Sequence, residues 1–506
     1  MALVPLPGFQ LSSRPASSPD ALDPVIPAPV RGLLERLWAA GHAGYVVGGS
    51  LRDACLGREP KDWDLATDAR PDRTLEIFPG AVYENRFGTV AVRVAGDVYE
   101  ITTFRSDHDY ADFRRPHRIE FGDSIALDLA RRDFTVNAMA WGSDAPHAAV
   151  AGSAGEAAPA SGRADPSNGR AAPASGRADP GNAAGPSPAP RLVDPFGGRQ
   201  DIDARLLRAV GDPVVRFEED ALRMIRAVRL ATTLEFEIEA ATLDAIRAKA
   251  DLAGHLSGER IAAELARLLE VAKPSPGLDL LADTGLLAVI LPELAAQHGI
   301  SQNKIEGEDL WRHTLRAVDA VPVDRPVVRL AALLHDIGKP ATLTGGRFPG
   351  HQTVGAEIAS AVLARLRAPR SVTERVVHLV RNQMFSYESG WSDMAVRRFI
   401  ARIGKEALDE LLVLREADNI GSGQPDDGAL DELRRRVAEQ LAAQVALDLS
   451  DLAVNGRDLI AELGMTPGPG LGHVLDELLE RVVSDPGLND RPTLLLLAQS
   501  MLADEE

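Results

Sequence analysis

The sequence predicts an α+β fold, a mixed α/β head followed by a long all-helical remainder. Three observations carry this. Short β-branched runs separated by turns fill the first third of the chain. A low-complexity stretch interrupts them near residues 143–190, and from about residue 206 apolar side chains recur at three and four positions. The 506 residues leave room for three or four domains. Apolar residues make up 45% of the chain, enough for several cores, and aromatics only 5%, so Leu, Ala and Val must fill them. The net charge of −19 argues against wholesale coating by nucleic acid and leaves room for a local basic groove.

Taken in order, residues 1–23 are rich in Pro, Ser and Ala and are expected to be a disordered tail. Val30 to Ala40 has helical spacing, and Gly44 to Val47 reads as a strand. Lys61 to Thr67 reads as a second short strand. Val90–Val94 and Val98–Thr102 read as a hairpin about Gly96-Asp97. Within 143–190, Ala158 to Pro166 recurs as Ala172 to Pro180. That Ala/Gly/Pro/Ser composition cannot bury enough apolar surface to order itself. It is expected to be a disordered loop between strands near Ala138–Trp141 and Leu192-Val193, without chemistry of its own. Beyond it, Leu222, Ile225, Val228 and Leu230 mark a helix. Pro/Gly clusters near 274–277, 322–326, 366–371 and 422–428 mark loops.

Cys55 is the only cysteine, so no intrachain disulfide can form and a reducing compartment fits. No apolar run reaches the roughly 18 residues a membrane helix needs. The N-terminus lacks the apolar core of a signal peptide. The expectation is a soluble, cytoplasmic protein.

The chemistry concentrates in Asp62-Trp63-Asp64, just after the turn Gly48-Gly49-Ser50-Leu51-Arg52-Asp53. Residues i and i+2 of a strand point to one face, which sets two carboxylates side by side with Trp63 turned away. Adjacent carboxylates repel unless a cation sits between them. Hard oxygen ligands suit Mg²⁺, and glycines upstream let backbone N–H groups approach a triphosphate. The pattern points to metal-assisted chemistry on a nucleotide; the plain alternative is an acidic surface turn.

Five runs stand in one order: Gly48-Gly49 to Arg52-Asp53; Asp62-Trp63-Asp64; Arg131-Arg132-Asp133-Phe134-Thr135-Val136-Asn137-Ala138; Glu219-Asp220-Ala221-Leu222-Arg223; and Gly258-Glu259-Arg260. The set resembles the class II tRNA nucleotidyltransferase and bacterial poly(A) polymerase family, from about residue 30 to 500. Leu452–Ile460 with Gly464, Gly468 and Gly470 resembles that family's tail. The resemblance implies a polymerase-beta-like nucleotidyltransferase head over 24–205 and a helical neck over 206–272. It further implies a helical body over 273–310, an HD domain over 311–425 and a helical tail over 426–506. Asp62 and Asp64 would then hold Mg²⁺ ions that bridge the nucleotide phosphates and activate an RNA 3′-hydroxyl, with Glu100 as a candidate third carboxylate. Gly48, Gly49, Arg52, Arg131, Arg132, Asp133 and Asn137 would bind the nucleotide, since Arg matches phosphate oxygens bidentately. Thr135 and Asn137 would also tie down their turn. Asp220 and Arg223, three apart on an expected helix, would share a face and select C or A as an amino-acid template. Glu219 and Arg226 would orient that pair, while Glu259 and Arg260 would brace the neck against the same helix.

His313, His335-Asp336 and Asp418 follow the order His…His-Asp…Asp, which resembles the HD phosphohydrolase superfamily. Imidazole and carboxylate ligands suit a divalent transition metal or Mg²⁺. His351 and His378 lie between them as candidates to contact phosphate or a second metal. Gln383 stands where relatives often carry His, which speaks against a dinuclear site.

The leading reading is an enzyme that adds CCA, from CTP and ATP, to the tRNA 3′ end. A poly(A) polymerase, an enzyme adding only C or only A, an HD-type phosphohydrolase and a non-catalytic RNA-binding protein are the alternatives. RNA would bind a groove whose candidate residues are Arg223, Arg226, Arg229, Arg397, Arg398 and Arg434-Arg435-Arg436.

Overall fold

The computed structural model describes residues 25–85, 88–110, 116–144, 189–302, 304–424, 428–443 and 445–504. The expected disordered segments, 1–23 and most of 143–190, lie outside these residues. The chain divides into two compact units. One runs to Asp220 and takes back Glu237–Thr242; the other holds Ala221–Phe236 and everything from Leu243 on.

The first unit is built on a sheet of seven strands: β1 (Gly44–Val47), β2 (Asp64–Thr67), β3 (Val82–Asn85), β4 (Thr89–Val94), β5 (Asp97–Thr103), and two later strands. A separate hairpin of β6 (Arg105–Tyr110) and β7 (Pro116–Phe121) follows β5. The sheet is completed by β8 (Ala140–Ser143) and β9 (Arg191–Val193) in the order β3-β4-β5-β2-β1-β8-β9. Among the described strands of this sheet only β2 and β5 pair in parallel; the other neighbours are antiparallel. The expected β4–β5 hairpin forms, and its turn residues Ala95 and Gly96 both have positive φ, at 55° and 100°. Such primed turns match the right-handed twist of the flanking strands. Strands β8 and β9 pair across the low-complexity segment, so the insertion joins two neighbouring strands. Helix α1 (Ala28–Ala39) buries Val30, Leu33, Leu34 and Leu37. Tyr45, Val47, Ala66, Phe104, Leu129 and Ala140 share one apolar core.

Strand β2 is shorter than the sequence predicts. It begins at Asp64, because its partner β1 ends opposite that residue, at Val47, and turns into helix α2 (Gly49–Cys55). Asp62 and Trp63 therefore lead into the strand without ladder partners.

The second unit is helical. Helix α3 (Leu222–Leu234) buries Leu222, Ile225, Val228 and Leu230, as the spacing predicts. Helix α4 (Gly258–Leu269) lies against it and buries Ile261, Glu264, Leu265, Leu268 and Leu269. Ser275 to Gly277, expected as loop, instead open the helix Ser275–Asp283. Pro276 sits in its first turn, where a missing N–H costs nothing. Three further helices matter here: α5 (Leu310–Ala320), α6 (Pro326–Leu334) and α7 (His351–Arg365). Beyond these, α8 (Leu408–Gly421) packs on α5 and α6. At the chain's end Val454, Leu459, Val474, Leu478, Val482 and Leu494 form a separate core. Asn455 caps its first helix through a capping box with Asp458.

Gly258 explains why its motif begins with glycine. A methyl group there would lie 2.0 Å from the Arg365 carbonyl oxygen and 2.9 Å from Leu366 Cα, so the start of α4 rests directly on the end of α7. Gly258→Ala is expected to cost about 1–3 kcal/mol through overpacking, read as a fall in Tm. An unchanged Tm would show that this junction yields.

Candidate functional site

Asp64 stands opposite Glu100 in the parallel β2–β5 pair, so two carboxylates project side by side from neighbouring strands. Both are exposed, as is Asp62. Crowding by surrounding atoms pushes the Asp64 carboxyl up; Arg132 opposes the rise and Asp62 adds to it. Desolvation also raises Glu100, with Asp64, Glu84 and Asp62 adding like charge. The three acids thus feel one another, and Glu100 belongs with the pair by position. Among the described residues they do not draw within 4.8 Å of one another, whereas His313, His335 and Asp418 do.

The turn between β1 and α2 opens toward these acids. Gly48 has φ +79°, a conformation glycine tolerates. A methyl group on it would come within 3.1 Å of the Arg132 guanidinium and 3.5 Å of the Asp64 carboxylate. Ser50 Oγ donates to the Val47 carbonyl at 3.1 Å and fixes the turn.

The remaining head residues frame the site. Arg52 Nη1 donates to Asn137 Oδ1 at 2.6 Å, and Arg52 also pairs with Asp53 at 2.8 Å. Asn137 Nδ2 donates to Asp133 Oδ1 at 3.1 Å, and the same oxygen accepts from the Phe134 N–H at 2.8 Å. Thr135 Oγ1 donates to Asp201 Oδ2 at 2.6 Å, in keeping with a structural task. The sequence reading missed Asp128. This acid, 1% exposed, holds both Arg131 at 2.6 Å and Arg132 at 3.2 Å. Burial pushes Asp128 up, but the two guanidiniums outweigh it and hold the carboxyl below its usual range. The signal was the spacing: Asp128 lies three and four residues before the arginines.

Asp220 departs from the expected helix face. It ends the helix Pro213–Glu219 in extended backbone, φ −148° and ψ 104°, and α3 starts only at Leu222. Asp220 therefore sits at the bend and Arg223 in the first turn of α3, so the two do not share one helix face. Glu219 pairs with Arg216 at 2.8 Å. The bracing also differs in detail. Glu259 pairs with Arg367, while α4 holds α3 through Glu264, which accepts from Arg229 Nε. Arg260 lies in the first turn of α4.

Six of the candidate RNA-groove arginines have partners within the chain. Arg229 pairs with Glu264, Arg398 with Glu480, Arg434 with Glu416, Arg435 with Glu439 and Arg436 with Asp393, while Arg397 donates to the carbonyls of Val483 and Ser484. Arg398 and Arg435 are about half exposed or more in these pairs, and an exposed ion pair holds a guanidinium only weakly.

The second constellation is assembled and buried. His313 comes from α5, His335 and Asp336 directly follow α6, and Asp418 comes from α8. His313 Nε2 lies 3.0 Å from His335 Nε2 and 3.2 Å from both Asp336 and Asp418; His335 Nε2 lies 3.1 Å from Asp336. Nδ1 of His335 faces the Ala332 carbonyl at 2.7 Å, which leaves Nε2 turned inward. Burial alone would lower His335, but Asp336 and Asp418 prevail and push it up to about 9. Both acids lie well below their usual range: burial opposes this, and the imidazoles, with Lys339 for Asp336, outweigh it. The sequence reading missed Lys339, 2.6 Å from Asp336, and Lys304, 3.7 Å from Asp418. His351 Nε2 lies 3.5 Å from Asp336. His378 does not join the centre; its Nε2 bonds the Ile403 carbonyl at 2.8 Å. Gln383 is equally occupied, donating to the His335 carbonyl.

The mixed sheet sets Asp64 beside Glu100, with Asp62 adjoining and the Gly48 turn behind, and the chain's relatives place it among nucleotidyltransferases. Residues 44–151 match the family model of the poly A polymerase head domain. Residues 235–297 match that of an RNA- and SrmB-binding site of polymerase A, and residues 352–498 match tRNA nucleotidyltransferase domain 2. The CCA-adding enzyme of Levilactobacillus brevis is 32% identical over 466 residues, covering 92% of this chain and 96% of the relative. That of Geobacillus thermodenitrificans is 32% identical over 464 residues, covering 91% and 93%. The crystal structure of the Bacillus stearothermophilus CCA-adding enzyme in complex with CTP superposes with a TM-score of 0.65 at 26% identity, covering 95% of this chain and 99% of that one. The chain belongs to the CCA-adding enzyme family of tRNA nucleotidyltransferases. No described helix is long and apolar enough to cross a membrane.

Proposed function

We propose that this chain adds C, C and A to the tRNA 3′ end from CTP and ATP, releasing pyrophosphate and using no nucleic-acid template. One observation carries the reading: Asp64 and Glu100 in register behind the Gly48 turn, in a chain matching CCA-adding relatives almost end to end. The three acids fit a hard divalent cation: all three residues are exposed, and burial first, with the like charge of their acidic neighbours added to it, raises the Asp64 and Glu100 carboxyls, a cost that a bound cation would offset. Asp62, Asp64 and Glu100 would hold Mg²⁺, which when bound stabilises charge on phosphoryl oxygens and activates a hydroxyl. The residues themselves do the rest. Arg132, held by Asp128 beside Gly48, attracts a triphosphate. Arg52, Asn137 and Asp133 keep that wall in place. Asp220 offers acceptors and Arg223 donors to a base edge. A reducing cytoplasm suits the single Cys55.

The buried His/Asp cluster supports a second reading: His313, His335, Asp336 and Asp418 form an HD centre for one divalent metal. Nε2 of both imidazoles and two carboxylates converge, a donor set that suits a transition ion or Mg²⁺. The occupied Gln383 and His378 favour one ion over two. Calorimetric titration with Mn²⁺ is expected to show, besides binding at the head acids that Asp62→Ala weakens, a further site that His335→Ala removes and Asp62→Ala spares. A titration unaltered by His335→Ala would overturn this reading. Chelator-reversible phosphate release that follows His335 and ignores Asp62 would add phosphohydrolase chemistry to the centre.

A further inference from the structure

Arg329 lies in α6, the helix that runs straight into His335 and Asp336, and is 1% exposed. A buried guanidinium is costly unless its donors are used. Here they go to backbone: Nε to the Val321 carbonyl at 2.9 Å, Nη1 to Leu269 at 2.5 Å and to Val271, and Nη2 to Ala272 at 3.2 Å. Leu269 is the last residue of α4, whose final carbonyls have no partners within the helix. A cation at that end is also favoured by the helix dipole. Arg329 thus does the work of a C-terminal cap, delivered from another helix.

The opposite end of α4 is fixed too, by Gly258 against Arg365 and Leu366. Between these two anchors, Glu264 of α4, 3% exposed, accepts from Arg229 of α3. Arg223 stands on α3, six residues before Arg229. An unbroken set of contacts therefore runs from α6 through Arg329 to α4, and through Glu264 and Arg229 to the helix that carries Arg223. The guanidinium fan fixes where α4 ends along its axis, and the Glu264–Arg229 pair transmits that position to α3. Hydrogen-bond selection of a base edge tolerates little displacement, so such a clamp bears on which base is accepted.

We propose that Arg329 is a positioning residue for nucleotide choice, holding the Arg223 helix in place through α4. The inference rests on Arg223 reading the base. The test uses the full chain and a tRNA ending in CC, and compares kcat/KM for ATP with that for CTP, alongside Tm, well below the transition. Arg329→Met is expected to reduce the preference for ATP about tenfold, within the range seen for residues that couple sites without touching ligand. Arg329→Lys, which keeps the charge but reaches fewer carbonyls, should restore part of it. Glu264→Gln, which keeps shape and weakens the second joint, should shift the preference in the same direction and serves if Arg329→Met does not fold. A lowered Tm with unchanged preference in the folded variants would make Arg329 purely structural and overturn the proposal. Arg223→Ala is the control. Unchanged preference there would bring down the base-reading assignment itself; a shift in Arg223→Ala but in neither Arg329→Met nor Glu264→Gln would bring down the positioning role alone.

Discussion

Asp64→Asn is expected to stop nucleotide addition, lowering kcat at least about a thousandfold, while tRNA affinity stays within about twofold. Several kcal/mol of charge stabilisation in the transition state depend on a metal ligand, and each 1.36 kcal/mol is tenfold in rate. Asn keeps the size of Asp64 at the start of β2 and its place opposite Glu100, so the sheet need not move. The substitution also has a thermodynamic signature. The Asp64 and Glu100 carboxyls lie above their usual range in the fold, so the folded chain binds their protons more tightly than the unfolded one. Their ionisation therefore weakens the head as pH rises through the usual carboxylate range, and Mg²⁺ should offset that loss. Added Mg²⁺ is expected to raise the Tm of the natural protein and to raise that of Asp64→Asn less. Equal loss of tRNA binding and of addition would refute the assigned role.

The second large effect is on fidelity. Asp220→Ala and Arg223→Ala are expected to lower discrimination between C and A about ten- to a hundredfold, the worth of one or two hydrogen bonds to a base edge, more than they slow total addition. The geometry sharpens the expectation. Asp220 sits in extended backbone and Arg223 in the opening turn of α3, so the two do not lie on successive turns of one helix. Sequencing the 3′ ends made by each variant with both nucleotides present checks it. Faithful CCA from both variants would refute the amino-acid template.

The alternating runs of the head were legible because β1, β4 and β5 carry their burial in their own sequence: β1 is apolar throughout, and β5 alternates. The Asp62/Asp64 pair, the glycine turn and the His/Asp quartet stood out in the sequence because residue type and spacing alone mark them. What local pattern could not give was partnership. The end of β2 at Asp64 is set by where β1 turns away, a fact about another strand. Asp128 is an unremarkable acid on a short helix until Arg131 and Arg132 close on it. Lys304 reaches Asp418 across more than a hundred residues of chain. Arg398 reaches Glu480 and Arg434 reaches Glu416 across stretches of chain that local pattern does not connect. His378 looked available as a ligand because its acceptor, the Ile403 carbonyl, lies on the next helix.

The most direct test of the central claim incubates the protein with Mg²⁺, CTP, ATP and a tRNA lacking its 3′ CCA, then sequences the 3′ ends. Tails that stop at a single CCA are the expected result. Long A tails, tails of C alone or A alone, or no addition at all would contradict it.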